Sequence, residues 1–115
     1  MGKYQIGEFE EIVMLTVAIL HGNAYGISIK QQIEETQGRK VSVGALQSCL
    51  QRLEKKGYLK SREGEATTIR GGRPKKYVEI TAAGKQALAT TREIRNRLWE
   101  AIPRVVLDMK FTVYS

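Results

Sequence analysis

Apolar residues recur along this chain with the spacing of helices, then of a hairpin, then of one more long helix. From Glu8 to about Leu20, the residues Phe9, Ile12, Val13, Thr16, Ile19 and Leu20 fall three and four apart, the repeat of one helix face. Met14, Leu15, Val17 and Ala18 fill the other face. A helix apolar nearly all round needs cover on two sides, from its own domain and from a second surface such as a partner subunit. Glu8, Glu10 and Glu11 lie in its first turn, where the positive end of the helix dipole favours carboxylates. Gly22 fits the terminating position and Asn23 to Tyr25 make a short link. A second helix follows from Gly26 to about Thr36, with Ile29 and Ile33 on one face, and Gly38 closes it.

Ser42 stands as N-cap of a third helix, Val43 to about Lys56. Val43, Leu46, Leu50 and Leu53 form its apolar stripe, Cys49 lies at the edge of that stripe, and Gly57 ends the helix. Two β-type runs, Tyr58 to Glu63 and Lys75 to Ile80, flank a loop with Gly71-Gly72 at its tip, so a hairpin with a long loop is expected. Thr81 caps a final helix from about Ala82 to Ala101, with Ala87 or Leu88, Thr91, Ile94, Leu98 and Ile102 along one stripe. Pro103 interrupts or ends it. Beyond Pro103 two periodicities compete: Val105, Val106 and Met109 suit a helix, whereas Met109, Phe111 and Val113 alternate like a strand.

The fold class implied is α+β and mostly helical. Three helices followed by a hairpin is the element order of a winged helix-turn-helix, in which the third helix enters the major groove and the wing touches the backbone or minor groove. Size and composition agree with one small domain: 115 residues, 42% of them apolar, supply a single core. One Cys and one His exclude an internal disulfide and a Cys/His zinc site. The longest apolar stretch, Ile12 to Leu20, is nine residues, too short to span a bilayer, and no signal-peptide pattern precedes it. A cytoplasmic protein without metal, cofactor or membrane partner is expected.

Charge then separates the chain into unlike thirds. Residues 1–38 carry −3, residues 39–76 carry +8 and residues 77–115 carry +2, for a total of +7. The middle third thus holds more than the whole net charge, the footprint of a surface that meets a polyanion. It also holds the right side chains. On the third helix Gly44 and Ala45 leave the backbone open to close approach, and Gln47, Ser48 and Gln51 are neutral groups able to reach base edges. Arg52, Lys55 and Lys56 lie where phosphates would flank the groove, and Ser42 with the first-turn amides suits a phosphate at the helix N-terminus. In the loop, Thr67, Thr68, Arg70, Arg73, Lys75 and Lys76 give a second set of donors. Double-stranded DNA is the expected partner.

At these residues the sequence resembles the PadR-type transcriptional regulators. The pieces are Tyr25-Gly26, Ser42-Val43-Gly44-Ala45-Leu46, Arg52-Leu53-Glu54-Lys55-Lys56-Gly57, Gly71-Gly72-Arg73-Pro74-Lys75-Lys76-Tyr77 and Ile80-Thr81-Ala82-Ala83-Gly84, within residues 6–100. The resemblance implies a homodimeric repressor that binds a palindromic operator. It divides the chain into a DNA-binding domain, 1–80, with its wing at 58–80, a C-terminal dimerisation helix, 81–102, packing on the N-terminal helix, and a tail, 103–115. Phe9, Val13, Leu88, Thr91, Ile94, Leu98, Trp99 and Ile102 are then the dimer or ligand residues. Small relatives bind flat drug-like molecules between subunits, so a small aromatic effector is an implied partner, with Trp99 either lining that gap or filling the interface. One departure stands out. Gln47 replaces an aromatic residue that many members carry, and two roles remain for it, reading adenine or facing solvent.

Other functions find less support. Cys49 beside the apolar stripe suits an inert buried thiol rather than a redox switch, and His21 at a helix end suits capping or surface exposure. The pairs Glu10-Glu11 and Glu34-Glu35 point to different helix faces, no phosphate-binding loop is present, and no catalytic residue is assigned. A sequence-tolerant architectural DNA-binding protein and a winged-helix protein-interaction module are the two alternatives to a regulator.

Overall fold

Each main helix of this chain begins where a particular group satisfies an amide that the helix itself leaves free. The computed structural model describes residues 6–64 and 75–108. Helix α1 spans Glu8–Ile19, α2 spans Gly26–Gln37, α3 spans Val43–Lys55 and α4 spans Ala82–Ala101. Glu10 reaches back to accept the Gly7 amide at 2.8 Å, and Ser28 accepts the Tyr25 amide at 2.9 Å. Ser42 and Thr81 act in the other direction, accepting the amides of Ala45 and Gly84, each at 3.0 Å. Both hydroxyl caps stand where the sequence placed them.

Between α3 and α4 run strands β1, Leu59–Glu63, and β2, Lys76–Ile80, paired antiparallel with Leu59 opposite Ile80 and Ser61 opposite Val78. Gly57, at φ +82°, makes the exit from α3: the Tyr58 amide returns to the Leu53 carbonyl at 2.9 Å, and the chain turns into β1. The hairpin is tied to the helices on a second side. The Val78 amide donates to the Ala24 carbonyl at 2.8 Å, so the link between α1 and α2 lies against β2.

The core forms where α1, α2 and α3 meet the hairpin: Val13, Met14, Ile29, Ile33, Leu46, Cys49 and Leu53 are all nearly or completely buried. Three expectations need correction here. Val43 is 60% exposed, because the first helical position points away from the stripe that Leu46, Leu50 and Leu53 form; Cys49, expected at the edge, is at the centre. Val13 is fully buried inside this single chain, so it is a core residue and has no surface to offer a partner subunit or ligand. Beyond α4, where the sequence left helix and strand open, Pro103 caps a short helix, α5, Arg104–Leu107; residues 109–115 lie outside the described residues.

Only the start of α4 belongs to the core, where Gly84 and Ala87 are buried. Gly84 is required by close approach, since a Cβ there would fall on the Tyr58 carbonyl oxygen. Thr81 also donates to the Gly57 carbonyl at 2.6 Å, which fastens the helix start to the end of α3. Further along, α4 meets α1 through Arg95, whose Nη2 lies 2.8 Å from Glu11 Oε1. Its distal half then leaves Ile94, Leu98 and Trp99 exposed by 48%, 66% and 64%.

Candidate nucleic-acid interface

The outer face of α3 follows from its inner one. With Leu46, Cys49, Leu50 and Leu53 turned into the core, Ser42, Gly44, Ala45, Gln47, Ser48 and Gln51 are left exposed on the opposite side. Ser42 keeps its hydroxyl proton for a ligand, since its oxygen accepts from Ala45 as the cap. The uncharged donors therefore stand together on one solvent-facing surface, at the N-terminal two-thirds of the helix.

The cations at the other end are arranged differently from the expectation. Lys56 Nζ lies 2.9 Å from Glu10 Oε2 and Arg52 Nε lies 3.6 Å from the same oxygen, so both reach toward α1. Burial raises the pKa of Glu10, but the Gly7 amide, Lys56 and Arg52 together outweigh it and hold the carboxyl below its ordinary value. Arg52 and Lys56 thus already neutralise an internal charge. Lys55 is exposed and has no such carboxylate partner among the described ion pairs.

At the base of the wing the structure brings together residues that the sequence did not join. The rings of Tyr25 and Tyr77 meet edge to face at 5.6 Å, Lys75 Nζ sits 4.3 Å from the Tyr25 ring centre, and Arg62 lies 4.7 Å from that of Tyr77. Arg62 also bonds Glu79 at 2.8 Å, and this hydrogen bond, with the Arg62 and Lys60 charges, lowers the Glu79 pKa against slight desolvation. Lys76 pairs with Glu54 of α3 at 3.6 Å. The only sequence signal for this cluster was aromatic residues adjoining basic ones at separate points of the chain. Thr67, Thr68, Arg70 and Arg73 lie outside the described residues, so of the donors expected in the wing loop only Lys75 and Lys76 can be located.

A groove of about 230 Å³ runs between these parts, bounded by Tyr25 and Ile27 at the start of α2, Gln47 and Gln51 on α3, and Lys75 and Lys76 on the wing. It joins neutral hydrogen-bonding side chains to cationic ones on one surface, with Glu54, the partner of Lys76, also in its lining. The turn that orients α3 against α2 is held by Glu34, which accepts the Val41 amide at 2.8 Å and Lys30 Nζ at 2.9 Å. The Val41 hydrogen bond first, and Lys30 second, lower its pKa. The i,i+4 spacing of Lys30 and Glu34 is readable in the sequence, but the Val41 contact is not, because Val41 is brought back only by the turn at Gly38.

The expected dimer or ligand residues separate into two groups. Phe9 and Leu88 are half-buried against the core, and Thr91 is half-buried with its hydroxyl bonded to the Ala87 carbonyl at 2.9 Å. Ile94, Leu98 and Trp99 face solvent, while Ile102 is half-buried. A second groove, of about 430 Å³, lies between α1 and α4, with Leu15, Leu88 and Trp99 as apolar walls and Glu11, Arg92 and Arg95 as charged ones. Cys49 is remote from solvent, and burial pushes its thiol up to about 11, so thiolate chemistry is suppressed. Among the described residues no cluster of His, Cys, Asp and Glu could hold a metal, and no helix is long and apolar enough to cross a membrane.

Residues 14–90 match the family model of the transcriptional regulator PadR-like family. Among solved structures, a PadR-like transcription factor from Bacteroides fragilis is 28% identical with a TM-score of 0.69, over 84% of this chain and 88% of that one. A PadR family transcription regulator from Clostridium difficile R20291 shares the fold at 24% identity and a TM-score of 0.64, over 85% and 98% of the two chains. A PadR family transcriptional regulator from Eggerthella lenta DSM 2243 does so at 23% identity and a TM-score of 0.64, over 90% and 88%. No curated protein matches the chain. A family match over two-thirds of the length, on a helix-turn-helix with its wing in place, makes this chain a member of the PadR-like family of transcriptional regulators, DNA-binding proteins rather than enzymes.

Proposed function

We propose that the protein is a homodimeric repressor in the cytoplasm that binds a palindromic operator, with α3 of each subunit in the major groove and each wing on the flanking backbone. The observation that carries this reading is the outer face of α3, where Gln47, Ser48 and Gln51 are exposed beside a groove leading to Lys75 and Lys76. Cations alone would favour DNA of any sequence; neutral groups able to exchange paired hydrogen bonds with base edges favour particular ones. The exposed stripe of Ile94, Leu98 and Trp99 supports dimerisation through α4, since a second copy would remove it from water. The groove beside Trp99 suits a small flat aromatic effector that releases the operator.

Binding-site selection with the purified protein, followed by competition, tests the reading. A regulator prefers its selected duplex to random DNA by ~10³-fold or more, and its two half-sites lie about one helical turn, roughly 34 Å, apart. An architectural binder shows little preference and a protein-interaction module no DNA binding at all, and either result rejects the proposal. Gln51→Ala is expected to relax preference at one base position, whereas Arg73→Ala weakens all sequences alike. Equal losses on specific and random DNA for Gln51→Ala remove base reading from that residue. For the effector, flat aromatic compounds that neither quench Trp99 emission nor change operator affinity reject that part.

A further inference from the structure

Two large aliphatic side chains stand exposed on the DNA-facing surface with no part in the core. Ile27, at the second position of α2, is 64% exposed, and Val43, at the first position of α3, is 60% exposed. The core contacts of these helices come from other residues, Ile29 and Ile33 on α2 and Leu46, Cys49, Leu50 and Leu53 on α3. Both exposed residues are β-branched, which does not favour a helix, so neither helix formation nor packing calls for them.

Their placement beside the glutamines suggests what they do. Val43, Gln47 and Gln51 follow one another at intervals of four and so form one row along α3. Ile27 borders the same groove as Gln47 and Gln51. The start of α2 is also in direct contact with this row, since a Cβ on Gly26 would lie 3.4 Å from Gln47 Nε2. In the major groove an adenine offers a glutamine paired acceptor and donor atoms, and a thymine offers a methyl group with no hydrogen-bonding capacity. A row of glutamines edged by stiff aliphatic groups matches A·T pairs on both counts, and restricted χ1 angles mean little rotamer freedom is lost on contact.

We infer that Ile27 and Val43 are specificity residues that recognise thymine 5-methyl groups next to the bases read by Gln47 and Gln51. The inference rests on the proposed docking of α3 in the major groove. It accounts for two exposed apolar side chains within an otherwise polar and cationic surface. It takes the adenine-reading role for Gln47 rather than the solvent-facing one.

Chemical substitution of the operator tests this one atom group at a time. Each thymine of a selected half-site is replaced by deoxyuridine, which removes the methyl group and leaves the base-pairing edge unchanged. The wild-type protein is expected to lose about fourfold in affinity at one or two positions, the effect of one buried carbon. Ile27→Ala is expected to bind the thymine and uracil duplexes alike at one such position, and Val43→Ala at the other. When such a T·A pair is changed to C·G, carrying the cytosine as 5-methylcytosine is expected to recover part of the lost affinity, and no recovery would count against a methyl contact. Uniform tolerance of deoxyuridine by a wild-type protein that still prefers its selected sequence overturns the methyl contact while leaving operator recognition intact. Selection that yields no preferred sequence overturns both. Equal losses by Ile27→Ala on thymine and uracil duplexes also overturn the assignment; because both side chains are outside the core, circular dichroism should show both variants folded.

Discussion

Gly84 decides how the last helix meets the rest of the molecule. Any side chain there would collide with the backbone oxygen of Tyr58, which cannot rotate away because it also accepts the Thr81 amide at 3.1 Å. Gly84→Ala is therefore expected to destabilise the fold by about 2–3 kcal/mol, as overpacking against fixed backbone does, with urea denaturation as the measurement. An unchanged midpoint would show that α4 can lift from β1 without cost. Single residues also show where sequence reasoning reached its limit. Ser42, Gly57 and Thr81 were readable because a cap or a left-handed turn acts on neighbours three or four residues away. Val13 and Val43 were misplaced because one helical repeat fits several rotations of the helix, and only the neighbouring elements choose among them.

At the scale of elements, adjacent carboxylates on α1 hold two different helices. Glu10 faces Lys56 and Arg52 at the end of α3, and Glu11 faces Arg95 on α4. Glu10→Gln keeps an acceptor for the Gly7 amide but removes the charge between the two cations. Because Lys56 and Arg52 are themselves partly open to solvent, the expected loss at neutral pH is only about 1–2 kcal/mol. The pH dependence has a definite sign. A carboxyl held below its ordinary value of 4.5 in the folded state stabilises the protein above that pH, and the contribution disappears as the pH falls through the lowered value. The gap in urea midpoint between wild type and Glu10→Gln should therefore narrow progressively as the pH is lowered below 4.5. A gap that persists in acid would mean that the charge of Glu10 is not what the two cations stabilise. The same contacts lay beyond the reach of the sequence: the partner of Lys56 and Arg52 is on another helix, more than forty positions away, although both cations keep exposed surface. The stack of Tyr25 on Tyr77 was hidden for the same reason, whereas the element order itself needed only local pattern.

For the whole molecule, the outstanding feature is the mismatch between where the core ends and where α4 ends. The longest dimension is 61 Å, and the distal part of α4 carries its apolar groups beyond the buried region. Leu98→Asp is expected to convert the proposed dimer to monomer and to reduce operator affinity by 100-fold or more, with the far-ultraviolet circular dichroism of the chain unchanged, because Leu98 is 66% exposed in the single chain. Sedimentation equilibrium distinguishes the outcomes, and a variant that remains dimeric would assign the interface elsewhere. The total charge of +7 also predicts affinity falling steeply as salt rises, since each neutralised phosphate releases counterions. Fold class and the exposed polar face of α3 were thus legible from periodicity and charge, while the geometry joining helix, wing and α1 depended on contacts that no local pattern encodes.

The hydrogen bond from Val78 to Ala24 has a consequence for how an operator is measured. It fixes the hairpin to the link that begins α2, and the Tyr25 and Tyr77 rings brace the same junction, so the base of the wing is tied to the helix-turn-helix. In the proposed dimer, the phase between the two helix-turn-helix units is set by the α4 contact. Inserting one base pair between half-sites turns one of them by about a tenth of a helical turn relative to the other. If that contact holds the phase, the protein is expected to keep one half-site and release the second.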